Sequence, residues 1–299
     1  MKTLALSTVP KAITLAVVLA AAAALPAQAV GLVGLTTSNQ LARFDSASPG
    51  MATLVAITGM DAGDRFVGID LRPSNNTIYG VTASSRIYTV NELTGAASFV
   101  TALSAPVVDA SLGYGIDFNP VADFNGGSSL RLISSAGANF AINAGTGVVG
   151  NMPNTIAPGF TAVAYSNSNP MGTMAPPSTA LYYIDSVNDT LSVAASAFNT
   201  PTIITVGSLG VDVLRANGFE LTSENVGFAA LNVDGGLLTT GLYGINLMTG
   251  QATLMGQFNG TLAGLTVSAV PEPGSWALMG LGLAGLLLAR RSSTQQDAV

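Results

Sequence analysis

The sequence predicts an all-β protein: a five-bladed β-propeller closed by its own N- and C-terminal strands. Three observations lead there. A Gly-Ile-Asp-like tripeptide recurs along the chain, a second motif interleaves with it, and the two ends of the repeated region each lack what the other supplies.

The first motif appears as Gly68-Ile69-Asp70, Gly115-Ile116-Asp117, Ala162-Val163-Ala164, Gly218-Phe219-Glu220 and Gly264-Leu265-Thr266. Its central residues lie at 69, 116, 163, 219 and 265, so the steps are 47, 47, 56 and 46 residues. The second runs Arg86-Ile87-Tyr88-Thr89-Val90-Asn91 into Thr94-Gly95, Asn139 to Asn143 into Thr146-Gly147, and Leu242 to Asn246 into Thr249-Gly250. Leu41 to Asp45 before Pro49-Gly50 is a looser copy, and Thr190 to Ala194 the most degraded. Apolar and polar residues alternate within these stretches and Gly, Asn and Pro punctuate them, which are strand and turn signals.

Each repeat therefore reads as four short strands: the Gly-Ile-Asp strand, one such as Thr77 to Val81, the strand that turns at Thr-Gly, and a small-residue strand such as Ala97 to Thr101. Four strands in about 45 residues is the size of a propeller blade. The N-terminal segments Val33 to Ser38, Gln40 to Asp45 and Met51 to Ile57 give three strands without a first one. Leu262 to Ser268 gives a lone first strand at the other end, and joining the two removes the open sheet edge. An open solenoid is the rival arrangement, but solenoids need capped ends and none is visible.

Both termini are hydrophobic. Lys2 and Lys11, an apolar stretch from Ala12 to Leu25, and Ala27-Gln28-Ala29 before Val30 make a secretory signal peptide over residues 1–29, with Ala27 and Ala29 as the cleavage signal. An uncleaved anchor is the alternative. At the other end, Val270-Pro271-Glu272-Pro273 precedes an uncharged run of 14 residues, Trp276 to Ala289, closed by Arg290-Arg291. A full membrane crossing takes roughly 20 helical residues, so the run is short. Counting from Pro273 and letting the arginines snorkel narrows the gap, with the membrane helix at about residues 275–289. The paired arginines stay on the cytoplasmic side under the positive-inside bias, leaving the bulk of the chain outside. A buried core helix suits the terminal placement and flanking charges less well. Pro271 and Pro273 keep the Glu272 backbone extended and accessible to a processing enzyme. The domain plan is a signal peptide at 1–29, a propeller at 30–269, a sorting segment at 270–291 and a short polar tail at 292–299.

Val-Pro-Glu-Pro, a glycine-rich hydrophobic helix and a closing Arg-Arg resemble the PEP-CTERM sorting signal of Gram-negative bacteria. The resemblance implies entry through the Sec export machinery, recognition by an exosortase-type transpeptidase and a transient inner-membrane anchor. Delivery to the cell surface or an extracellular polysaccharide matrix follows. Ser292 to Val299 departs from it, since such signals usually stop soon after the basic residues. The repeat region, with Gly115 to Asp123, Leu181 to Asp185 and Gly207 to Asp212, resembles a bacterial domain-of-unknown-function family that is propeller-like and often carries this tail. The segment Phe124 to Ser129 looks like an insertion lengthening the Asp123 loop.

Composition excludes several chemistries. There is no Cys and no His, which removes disulfides, Cys-His and Ser-His-Asp nucleophiles and the usual zinc sites. No glycine-rich phosphate loop precedes a helix. Both lysines lie in the signal peptide. Between Val30 and Val270 six arginines face fourteen acids, a net of −8, which argues against nucleic-acid partners.

Carboxylates remain. If the Gly-Ile-Asp strand is the innermost of each blade, Asp70, Asp117 and Glu220 occupy equivalent positions near the central channel, where converging carboxylates could act as an acid/base pair on a sugar or bind calcium. The competing reading makes each Asp a cap for the turn that ends its strand, before Leu71-Arg72-Pro73 and Phe118-Asn119-Pro120. Ala164 and Thr266 also break a five-fold acidic ring. Asp123, Asn125, Asp185, Asn188 and Asp189 form oxygen-rich loops without EF-hand spacing, the remaining calcium candidates. Tyr79, Tyr88, Tyr182, Tyr183 and Tyr243 at strand positions suit blade packing more than sugar stacking.

The functional expectation is an exported, surface- or matrix-associated binding module without cofactor or catalysis, with an extracellular polysaccharide or surface protein as partner. The alternative is a carbohydrate-active hydrolase. Carboxyls about 5–9 Å apart in an open cleft favour the enzyme, and acids consumed by turn hydrogen bonds favour the binding module.

Overall fold

The computed structural model describes residues 29–270, apart from 128, 151, 153–154, 171, 215–216 and 234–238. The expected signal sequence up to residue 28, with Ala27, and the tail from Pro271 through Arg290 and Arg291 lie outside the described residues. Among the described residues no helix is long and apolar enough to cross a membrane.

Five four-stranded antiparallel sheets make five blades. Blade 1 holds β1 (Gly31–Thr36), β2 (Gln40–Asp45) and β3 (Thr53–Ala56). Blade 2 is β4 (Phe66–Arg72), β5 (Thr77–Thr82), β6 (Arg86–Val90) and β7 (Ala97–Ala102). Blade 3 is β8 (Tyr114–Phe118), β9 (Leu130–Ser134), β10 (Asn139–Ile142) and β11 (Val149–Gly150). Blade 4 is β12 (Phe160–Tyr165), β13 (Leu181–Asp185), β14 (Thr190–Ala194) and β15 (Ile204–Ser208). Blade 5 is β16 (Gly218–Leu221), β17 (Gly227–Asn232), β18 (Thr240–Ile245) and β19 (Ala252–Gln257). The last strand, β20 (Leu262–Val267), pairs antiparallel with β1, with Gly34 opposite Leu265, and supplies the missing inner strand of blade 1. The expected closure is the observed one.

The strands of each motif fall where their chemistry requires. β4, β8, β12, β16 and β20, the Gly-Ile-Asp strands, pack side by side around the axis. Glycine at the first motif position permits that approach: a Cβ on Gly115 would lie 2.8 Å from Ala162 Cα, and one on Gly218 2.5 Å from Leu265 N. Inner strands are buried along most of their length, whereas the outermost β7, β15 and β19 are largely exposed. The buried apolar side chains form five clusters, one between each pair of neighbouring blades. Each inter-blade face is thus a small sheet-on-sheet core.

The Asn-x-x-Thr-Gly stretches are the turns between the third and fourth strands. Asn91, Asn143 and Asn246 accept through Oδ1 from the backbone N–H groups two and three residues on. This is the Asx-turn chemistry that favours Asn at such a position. One unanticipated element is a short helix, α1 (Pro120–Phe124), where a lengthened loop was expected. Asn119 caps it by accepting from Ala122 N at 3.0 Å, and Pro120 occupies its first turn, where no N–H is needed.

Candidate functional site

The propeller brings Asp70, Asp117 and Glu220 together: one carboxylate oxygen from each lies within 4.8 Å of the others, and all three side chains are buried. Among the described residues no other three acidic side chains converge in this way.

What the carboxylates do is set by the blade next door. Asp70 Oδ2 accepts from Phe118 N at 2.7 Å, and Asp117 Oδ1 accepts from Tyr165 N at 3.1 Å. In each case the donor follows the third motif residue of the next inner strand. Glu220 Oε2 accepts from Val267 N at 3.2 Å, and Thr266 Oγ1 accepts from Leu71 N at 2.9 Å, which closes the ring. The fifth position is Ala164, which has no acceptor. There Glu220 Oε1 bonds its own Leu221 N at 2.8 Å, the group an acid at 164 would have taken. The expected turn-capping role of Asp70 and Asp117 is therefore corrected. Their bonds run across blades, because a side chain on an innermost strand faces the neighbouring strand more closely than its own turn.

Burial pushes the Asp70 carboxyl well above the ordinary carboxylate range, and the negative charge of Glu220 adds to it. Burial does the same to Asp117, with Asp70 and Glu220 as its charged neighbours, and pushes Glu220 to about 7. Thr266 Oγ1 lies 3.0 Å from Asp70 Oδ1 and 2.9 Å from Glu220 Oε2, bridging the two acids. Oxygen donors of this kind suit a hard divalent cation, yet here backbone N–H groups and a hydroxyl already supply the positive ends of dipoles. At the level of the first two motif residues the axis holds a void of only about 10 Å³ between Gly68, Gly115, Ala162, Gly218 and Gly264. That is room for about one water; sugar-sized ligands occupy clefts of hundreds of Å³.

The loop candidates are dispersed. Asp123 is buried, accepts from Arg72 Nε at 2.7 Å, Ser129 Oγ at 2.9 Å and Ser74 N at 3.0 Å, and so ties blade 2 to α1. Asn125 donates to Val121 O. Asp185 accepts from Val187 N, Asn188 N and Asn188 Nδ2 within its own turn, while Asp189 accepts from Val213 N. Tyr79, Tyr88, Tyr183 and Tyr243 are buried in the blade interfaces. A separate cleft of about 410 Å³ opens beside blade 4. Thr155, Asp185, Ser192, Thr200 and Thr205 line it, with Ile156 and Phe160 among its apolar walls.

Residues 40–266 match the family described as Domain of unknown function (DUF4394). The chain belongs to the DUF4394 family. Residues 269–292 of this DUF4394 protein match the PEP-CTERM protein-sorting motif. No curated protein matches it. Solved structures resemble it at low identity, three of them as follows. One is a protein from Bacteroides fragilis provisionally named 6-phosphogluconolactonase, at 11% identity and TM-score 0.41, covering 78% of this chain and 83% of that one. A Bacteroides uniformis protein of the same provisional name has 9% identity and TM-score 0.37, covering 77% and 82%. The third is a nidogen/laminin complex, at 10% identity and TM-score 0.27, covering 79% and 64%.

Two buried polar groups of the DUF4394 domain escape sequence reasoning. Arg131 donates to Tyr165 Oη, Asn139 Oδ1 and Asn199 Oδ1, knitting blades 3 and 4. Glu92 lies in the turn after β6 and is buried, although the equivalent turn positions carry Ala144 and Leu247. An acid standing where the two clearest other copies are apolar is the signal that could have found it.

Proposed function

We propose that this DUF4394 protein is an exported, surface-directed propeller that binds extracellular polysaccharide without hydrolysing it. The observation that carries this reading is the state of the central acids. They are sealed between blades and engaged by Phe118 N, Tyr165 N, Val267 N and Thr266 Oγ1, so no carboxylate stands free to protonate a leaving group or position a water. The blade 4 cleft supports the binding half of the proposal, since hydroxyls beside apolar walls are what a neutral polymer of sugars contacts.

Sorting frames that role. Residues 1–29 direct export and are removed, the segment at about 275–289 holds the chain transiently in the inner membrane, and an exosortase-type enzyme acts at the motif that begins in residues 269–292. The cell surface is the destination. The test is a glycan-array screen of the exported protein, with and without calcium, in which the same glycans are followed for cleavage. Retention without turnover, lost on Thr200→Trp in the cleft, is the expected result. Cleaved products that disappear on Asp117→Asn would overturn the proposal in favour of a hydrolase. Silence in both channels would move the partner to a surface protein.

A further inference from the structure

From Ser268 to Val270 the chain stays on the propeller. Ser268 N donates to Gly31 O at 2.9 Å, Asn76 Nδ2 donates to Ala269 O at 3.2 Å, and Val270 N donates to Glu92 Oε1 at 3.0 Å. Ser268 Oγ donates to Glu92 Oε2 at 2.7 Å, and Arg43 Nε meets the same oxygen at 3.3 Å. Glu92 is only 4% exposed, and its carboxylate, carried on the β6 turn of blade 2, is held by Arg43 of blade 1 and by the Ser268–Val270 segment itself. The sorting motif begins at residue 269, so its first two residues are part of the folded domain, and Pro271 follows with no spacer.

We propose that Glu92 is a latch that withholds the sorting motif from its processing enzyme until Ser268–Val270 is released; this rests on the exosortase-type sorting of the tail. An enzyme that takes an extended substrate binds it through main-chain N–H and C=O groups on both sides of the reacting bond. On the N-terminal side three of those groups are already occupied: Ser268 N–H by Gly31 O, Ala269 C=O by Asn76 Nδ2 and Val270 N–H by Glu92 Oε1. The latch can open without opening the ring, because the ladder between β1 and β20 ends at the Leu32–Val267 pair. Its strength is that of bonds to a charged carboxylate, large enough to hold the segment and small enough to yield.

The test follows precursor processing of the full chain by pulse-chase in a host that carries the exosortase-type enzyme. Glu92→Gln should shorten the precursor lifetime by about tenfold, the weakening expected when an uncharged acceptor replaces a charged one. A second variant keeps Glu92 and inserts, between Val270 and Pro271, a Gly-Ser spacer of about ten residues followed by a second Ala-Val pair, so that an unbroken motif lies beyond the latch. It frees the motif while leaving the domain untouched, and should be processed as fast as Glu92→Gln. Wild-type rates in both variants, or slower processing of Glu92→Gln, overturn the latch. Acceleration by Glu92→Gln alone also overturns it, because the cause is then loss of folding. A wild-type chain that is never processed in that host fails the sorting reading itself.

Discussion

Ala164 and Glu220 show how one residue shapes the proton chemistry of the whole axis. With alanine at 164, Leu221 N loses its cross-blade acceptor, and the extra methylene of Glu220 lets one carboxyl serve both Leu221 N and Val267 N. The result is a buried acid with a carboxyl pushed up to about 7, beside two others held above the ordinary range. An acid whose folded value is raised binds more protons folded than unfolded, so stability falls as pH rises. For Glu220 the contribution is full below its unfolded value of 4.5 and is lost as pH rises through about 7. We therefore expect the unfolding free energy of the exported protein to drop between pH 5 and pH 8 by on the order of 2 kcal/mol, read as a falling urea midpoint. Glu220→Gln should flatten that slope. A midpoint in the wild type that is level or rises across the window would contradict the buried, proton-holding arrangement.

At the scale of elements, the turns and the inner strands were legible to different degrees. The Asn-x-x-Thr-Gly turns could be read directly, because every group that makes them is local. The Gly-Ile-Asp strands were legible as strands, yet the work of Asp70 and Asp117 was not. Their donors lie 48 residues away, one repeat of 47 plus one, and only the assembled ring brings them near. Glu92 was missed for the same reason, its partners Ser268 and Val270 being the far end of the chain. The turn glycines carry a further constraint across blades. Gly147 has φ +73°, and a Cβ there would lie 2.0 Å from Ala102 O on the preceding blade, whereas Gly126, also at φ +73°, has nothing within 4 Å. Both positions strain an L-residue by about 1 kcal/mol, but only the first also forces two blades apart. Gly126→Ala should cost about 1 kcal/mol of unfolding free energy and Gly147→Ala more than twice that. Equal losses in the two variants would mean that the turn does not brace the neighbouring blade.

For the whole molecule, the decisive element is the six-residue strand β20. It completes blade 1 through its ladder with β1, and Leu262 and Leu265 enter the core between blades 5 and 1. Thr266 closes the hydrogen-bond ring on the axis. Leu262 also packs where Gly34 leaves room, since a Cβ on Gly34 would lie 2.8 Å from its methyl groups. Burial of two leucines contributes about 1.5–3 kcal/mol each, and every ladder bond adds about 1 kcal/mol. Removing β20 should therefore cost on the order of 5 kcal/mol or more, a large share of the stability of any domain. It should also expose the inner edge of β1 to pairing with other chains. Two exported truncations separate closure from the tail. A chain ending at Val270 keeps β20 and the Glu92 contacts, and should unfold in one sharp calorimetric transition. A chain ending at Gly260 should melt lower and broadly, with early proteolytic cuts between β1 and β3. If the two truncations melt alike, the ring is held by its inter-blade cores alone, and the tail that follows β20 is free to move without loosening the fold.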